Sequence, residues 1–404
     1  MYFCESHLIQ KMESFYRTHK YLVEHVQSHV RRQLMDEIDW NDRLIGIKGC
    51  RGVGKTTFLL NYAKEKFGTD RSCLYINLNH FYFTRHSLVD FAKDFCQRGG
   101  KTLLIDQVFK TPDWSKDLRD IYDQCPDLHI IFSGSSVMRL KEENPFLVDI
   151  VKSYNLRGFS FREYVNLMAG TNFPLYSLND LLTNHEQISK EILSKLNPQD
   201  YFQDYIHHGF YPFFLEKRNF SENLLKTMNM MIEVDVLLIK QIDLKYLPKI
   251  RQLLYMLGID APSAPNVSHL SNEIEMSRAT VMNYIKYLKD ARFIDLLYPV
   301  GDHFPKKPSK IYLHNTNLMY VLQDKLKVNK QDLCETFFYN TVHRDNKVNQ
   351  GKKNGQFILN RTQPFQVCSG KLSGKNNPDI FYAMDKLDTG RDNVIPLWLF
   401  GFLY

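Results

Sequence analysis

Eight consecutive residues, Gly49-Cys50-Arg51-Gly52-Val53-Gly54-Lys55-Thr56, satisfy the pattern G-x-x-x-x-G-K-[ST] in full. Glycines at these places let the backbone N–H groups turn inward around an anion, and the N-terminus of the helix that follows adds its positive end. Lys55 would reach the β- and γ-phosphates of a nucleoside triphosphate, and the Thr56 hydroxyl would ligate Mg²⁺. Thr57 belongs to the same phosphate-binding turn. A second stretch, "LLIDQVFK" (Leu103 to Lys110), ends an apolar run on one carboxylate, Asp106. At the end of a buried strand it would hold Mg²⁺ directly or through a water; the plainer alternative is a turn or helix-cap aspartate. The next residue is Gln107, where a hydrolase needs a carboxylate to polarise the attacking water. An amide can hydrogen-bond that water but cannot accept its proton. A third stretch, "LHIIFSGSS" (128–136), offers Ser133 or Ser135 to the γ-phosphate, although such a turn needs small residues anyway. The cofactors implied are ATP and Mg²⁺.

These groups must be brought together by regular elements. "LIGI" reads as a short strand running into the glycine-rich loop, and "TFLLNYAKEKF" as the helix after it. "CLYINLN" reads as a second buried strand, "SLVDFAKDFCQRGG" as a helix and "KTLLIDQV" as a third strand. "DWSKDLRDIYDQCP" has helical apolar spacing with Asp113 as its N-cap, and "LHIIFSGSS" is another strand. Strands alternating with helices of this length predict an α/β domain with a parallel sheet covered on both faces. Asp106 then falls at the carboxyl edge of the sheet, beside the glycine-rich loop.

A chain of 404 residues has room for two or three domains. Its net charge of +7 permits contact with nucleic acid without requiring it. Seven scattered cysteines with no C-x-x-C pair give neither a disulfide framework nor a zinc site. The start "MYFCESHLIQK" is not patterned as a signal peptide, and no stretch approaches 18 uninterrupted apolar residues. A reducing cytoplasm fits this composition.

"GCRGVGKTTFLL", "LLIDQVFKTPDW", "IIFSGSS" and "LRGFSFREYVNL", in this order, resemble the bacterial and archaeal AAA-type ATP-binding proteins. Those proteins carry a C-terminal domain of unknown function, usually described as restriction-endonuclease-like. The resemblance continues through "HHGFYPFF" (207–214) to the terminal "IPLWLFGFLY". It implies "IDE" where this chain has Ile105-Asp106-Gln107, so Mg·ATP binding is expected to survive and hydrolysis to be slow. It also implies arginines serving the γ-phosphate, in cis or from a neighbouring subunit. Arg157 and Arg162 are present, and Lys152 stands where an arginine pair would be sought. A surface salt bridge is the alternative role for Arg162.

Residues 166–245 are helical in pattern, and adjacency should send the His207 and His208 side chains in different directions, poor geometry for a metal. From 248 to about 300 the order helix, short helix, turn, helix, strand has the layout of a winged helix-turn-helix. Ser277 would cap its recognition helix, leaving Arg278, Thr280, Asn283 and Lys286 to face a DNA groove. In the last part, a restriction-endonuclease-like site needs acidic residues and a lysine on successive strands. The chain offers Glu335, then Gln356, Asn360, Gln366 and Cys368, with Lys371 nearby. Amides are weak ligands for a hard dication, so this domain is read as nuclease-inactive. The expected organisation is a helical lead and AAA-type P-loop domain over 1–165, a helical and winged-helix section over 166–300, and a small α+β nuclease-like domain over 301–404. The function expected is Mg·ATP binding coupled to the later domains, with an ATP-controlled DNA-binding regulator or defence component as the alternative. Partners consistent with this are duplex DNA, a protein docking on the C-terminal domain, and further copies of the chain, with no membrane contact.

Overall fold

The structure, a computed structural model, describes residues 2–27, 30–140, 144–216, 218–323, 328–351, 355–370 and 376–404. It forms two compact units, Met1–Arg157 and Gly158–Tyr404.

The first unit opens with helices α1 (Tyr2–His25) and α2 (Leu34–Glu37). Then β1 (Leu44–Gly49), α3 (Lys55–Lys66), β2 (Cys73–Asn77), α4 (Leu88–Gln97) and β3 (Thr102–Asp106) alternate. The unit ends with α5 (Trp114–Gln124), β4 (His129–Ser135) and β5 (Lys152–Asn155). The five strands are all parallel, in the order β2-β3-β4-β1-β5. Every residue of β3 is buried, as expected of a strand covered on both faces. The order inserts β4 between β1 and β3, so the strand ending in "SGS" separates the one feeding the glycine-rich loop from the one ending in Asp106. Ser87 caps α4, accepting from the N–H groups of Val89 and Asp90, whereas Asp113 stands at the cap of α5 without a side-chain bond.

Strand β2 lies at the sheet edge, where unpaired N–H groups need cover. Helix α1 supplies it: His19 Nδ1 accepts the Tyr75 N–H at 3.0 Å. The imidazole is therefore the neutral tautomer with its proton on Nε2, and that buried atom has no partner among the described residues. Burial lowers the His19 pKa to about 4. Because the folded value lies below the unfolded one, the unfolded chain takes up a proton that the folded chain refuses between these values. Stability therefore rises with pH from about 4 to 6.5, and the loss by pH 4 is about 3 kcal/mol. Denaturation midpoints measured from pH 4 to 7 are expected to show this slope in the parent protein. They should show much less of it in His19→Asn, which keeps an acceptor and cannot titrate.

The second unit begins with α6 (Phe161–Ala169), α7 (Leu178–Leu193), α8 (Gln199–Asp204) and α9 (Phe220–Met230). It continues with α10 (Leu247–Ile259), α11 (Val267–Glu273), α12 (Arg278–Asp290) and the antiparallel pair β6 (Ile294–Leu297) and β7 (Lys310–Leu313). After α13 (Thr316–Leu322) and α14 (Lys330–Val342) comes a five-stranded sheet. Its strands are β8 (Val348–Gln350), β9 (Phe357–Leu359), β10 (Gln363–Cys368), β11 (Phe381–Met384) and β12 (Val394–Pro396). One core joins Phe161, Tyr164 and Val165 of α6 to Phe337 and Phe338 of α14 and to the fully buried Leu397, Trp398 and Phe400 of the tail. The divisions expected at 165 and 300 therefore do not coincide with the compact units. The first falls inside α6, whose apolar face needs the C-terminal core, and the second falls between the paired strands β6 and β7.

Two further expectations differ locally. A π-helical turn at Tyr205–Gly209 brings the Nδ1 atoms of His207 and His208 to 3.3 Å, so the adjacent rings converge. Asn360, expected among degenerate metal ligands, is a turn residue. It links β9 to β10 at φ 53°, and its side chain bonds Asn346 and the Lys347 N–H.

Candidate functional site

The loop between β1 and α3 has the conformation its glycines predict. Gly52 and Gly54 adopt φ of 86° and 91°, values that side chains resist. A Cβ on Gly49 would lie 2.4 Å from the Leu156 carbonyl oxygen, so that residue must be glycine to let the chain pass. Lys55 Nζ is folded back over the loop, donating to the carbonyls of Gly49 and Cys50 at 2.8 Å each. Arg32, which the sequence reading passed over, braces the loop from behind. Its guanidinium donates to the Val53 carbonyl at 3.1 Å and to the Arg157 carbonyl at 2.6 Å.

Asp106, only 1% exposed, is the centre of the site. Its Oδ2 accepts from Thr56 Oγ1 at 2.7 Å and from the Tyr75 hydroxyl at 2.8 Å, with Asn77 Nδ2 farther off at 3.4 Å. Its Oδ1 accepts from Ser133 Oγ and from the Gln107 N–H, the latter at 3.1 Å. The sheet thus brings Thr56, Asp106, Gln107 and Ser133 together. Ser135 lies opposite Gly49 in the strand register and outside the Asp106 bonds. Gln107 takes up the left-handed conformation, φ 57° and ψ 49°, which is uncommon for a residue with a side chain. Its N–H also donates to Ser133 Oγ at 3.0 Å, so backbone bonds hold the strained turn. The Gln107 side-chain amide is half-buried and has no hydrogen-bond partner among the described residues.

Tyr75 and Asn77 are the site residues that the sequence reading missed. Asn77 pairs with Asp106 in the β2–β3 register, and Tyr75, two residues earlier, shares its face. Alternation along "CLYIN" was the available signal. Burial, and then the Asp106 charge, push the Tyr75 pKa far up, so its hydroxyl remains a donor at any working pH.

Oxygen ligands suit Mg²⁺, which usually keeps several waters and takes one or two protein groups besides phosphate. Thr56 and Asp106 are such a pair. Among the described residues no three His, Cys, Asp or Glu come together as a metal cluster.

The remaining candidates lie in other settings. Arg162 is 7% exposed in the second unit and donates to the carbonyls of Tyr404 and Phe173 at 3.2 and 3.3 Å. Those bonds tie α6 to the chain end, and Arg162 is buried rather than on the surface. On α12, Ser277 caps as expected, accepting the Thr280 N–H at 3.1 Å, and Thr280 Oγ1 lies 2.9 Å from the same serine oxygen. Lys286 Nζ sits 5.0 Å over the Phe304 ring, while Arg278 and Asn283 are exposed. Glu335 is enclosed by donors: Lys310 and Tyr312 on Oε2, Gln331 and Gln356 on Oε1, all between 2.9 and 3.2 Å. A dication there would have to displace them. Gln366 and Cys368 are half-buried on β10, and Lys371 lies outside the described residues. Among the described residues no helix is long and apolar enough to cross a membrane.

Residues 41–165 match a family model described as an AAA domain, and residues 199–332 match one described as a domain of unknown function. Two uncharacterized proteins of Methanocaldococcus jannaschii are similar to the chain. MJ1637 is 27% identical over 325 residues, covering 76% of this chain and 68% of its own length. MJ1544 is 24% identical over 266 residues, covering 62% of this chain and 55% of its own length. Among solved structures, the Aeropyrum pernix Orc1 protein in complex with DNA overlaps 70% of this chain and 86% of its own. That overlap has 10% identity and a TM-score of 0.29. The glycine-rich loop and its parallel sheet thus lie within the stretch that matches an AAA domain, and a stretch matching a domain of unknown function follows it in the chain.

Proposed function

We propose that the AAA domain binds Mg·ATP and turns it over slowly or not at all, so that bound nucleotide sets the state of the chain. The observation that carries this is the constellation around Asp106. Thr56 and Asp106 are joined at 2.7 Å, Lys55 stands over the loop, and an amide occupies the position after the aspartate. In this reading Lys55 leaves the two loop carbonyls for the β- and γ-phosphates. Thr56 and Asp106 would hold the metal, with the Thr56 hydroxyl donating to Asp106. Mg²⁺ supplies charge neutralisation across the phosphates when bound. The groups that touch Asp106 are hydroxyls, an amide and a backbone N–H, so none can take a proton from an attacking water. Ser133, held on Asp106, is the polar side chain nearest in role to a γ-phosphate contact; Arg157 and Arg162 keep that role only if the chain rearranges or a neighbour supplies it.

The nucleotide state would act through the C-terminal part, read as a winged helix and an inactive nuclease-like fold serving as interaction modules. The order α10, α11, α12 and the β6–β7 pair supports the former, and the donor-filled surroundings of Glu335 support the latter. A second reading, an ATP-controlled DNA-binding regulator or defence component, draws on Arg278 and Asn283, which stand exposed on α12. Strongly salt-dependent binding to a DNA duplex would favour it. The primary reading is tested by titrating the protein with a fluorescent ATP analogue, with and without Mg²⁺. Saturable binding that Mg²⁺ tightens is expected, and absence of binding in both conditions would overturn it.

A further inference from the structure

The carboxylate of Asp106 must present one oxygen to Thr56 and, with it, to the metal. That oxygen, Oδ2, is shared by the Thr56 and Tyr75 hydroxyls at 2.7 and 2.8 Å, whereas Ser133 and the Gln107 N–H hold Oδ1. Asn77 Nδ2 also reaches Oδ2, at 3.4 Å, and of the two hydroxyls Tyr75 is the more rigid. It is 5% exposed, its strand is paired residue by residue with β3, and its N–H is bonded to His19 on the other side. Thr56, by contrast, begins a helix at the loop that receives phosphate. We infer that Tyr75 is a positioning residue for the metal: its hydroxyl aims Asp106 Oδ2, so that the Thr56–Asp106 pair is set before Mg²⁺ arrives. This rests on the Mg·ATP reading above.

Without that hydroxyl, a buried lone pair of a charged oxygen goes unfilled and the carboxylate can rotate away from Thr56. Phosphate contacts made by Lys55 and the loop N–H groups do not pass through Tyr75. The consequence is a split between metal and nucleotide that loss of packing alone would not produce.

The test compares the parent protein with Tyr75→Phe, which keeps the ring. Binding of a fluorescent ATP analogue is measured first in EDTA and then as MgCl₂ is added. Expected is a rise of about tenfold in the Mg²⁺ concentration giving half of the tightening, with affinity in EDTA within about twofold of the parent. An unchanged Mg²⁺ requirement would overturn the inference, and so would equal loss of binding in EDTA, which would assign Tyr75 to strand packing. A parent protein that binds no nucleotide in either condition would remove the Mg·ATP reading itself and this inference with it. A parent that binds, with a variant indistinguishable from it, removes the inference alone.

Discussion

Gln107→Glu is expected to switch on ATP hydrolysis, raising phosphate release about a hundredfold or more over the parent protein. The exchange is isosteric and leaves the local backbone as it stands. The Gln107 N–H keeps its bonds to Asp106 Oδ1 and Ser133 Oγ, and glutamate tolerates the left-handed conformation no worse than glutamine. The side-chain amide has no partner among the described residues, so a carboxylate placed there is not captured by a neighbouring donor. It would be free to accept the proton of an attacking water. Two carboxylates so close repel each other, and Mg²⁺ offsets that repulsion when nucleotide is bound. Steady-state phosphate release measures the outcome. Equal, negligible rates in the parent and in Gln107→Glu would mean that more than this one group is missing, the γ-phosphate arginine being the next to examine.

Lys55→Ala is expected to weaken nucleotide binding about a hundredfold, the scale of losing a charge-assisted hydrogen bond to phosphate. Lys55 is the first residue of α3, and alanine is the best helix former, so the variant should fold normally. The ammonium donates to the carbonyls of Gly49 and Cys50. Equilibrium titration of the ATP analogue, alongside a thermal melt as a fold control, distinguishes lost binding from lost structure. Unchanged affinity would show that the loop does not hold phosphate in the expected way.

The parts of the site that were legible in the sequence are those encoded locally. The glycine-rich loop is one contiguous segment, and Asp106 is marked by the apolar run before it. Tyr75 was not legible in this way. Its role depends on β2 pairing with β3, so that a residue 31 positions earlier donates to Asp106. Arg162 is a different case. The family resemblance implies a phosphate contact for it, whereas the structure has it donating to the Tyr404 carbonyl 242 residues away, a contact with no local signature. The compact units also depend on distant contacts. Helix α6 follows the α/β unit in sequence and looks continuous with it, yet its apolar face is completed by the C-terminal tail. Thr280 and Lys286, read as facing a DNA groove, find partners nearby, one at the helix cap and one on Phe304.

The central claim, that this chain holds ATP without spending it, is tested most directly by the fate of bound nucleotide. Protein saturated with Mg·ATP would be freed of excess ligand, held for hours, then denatured and its nucleotide identified. Recovery of stoichiometric ATP is the predicted result. Recovery of ADP, with phosphate released at the pace of an ordinary ATPase, would contradict it and would mean that some group other than residue 107 activates the water.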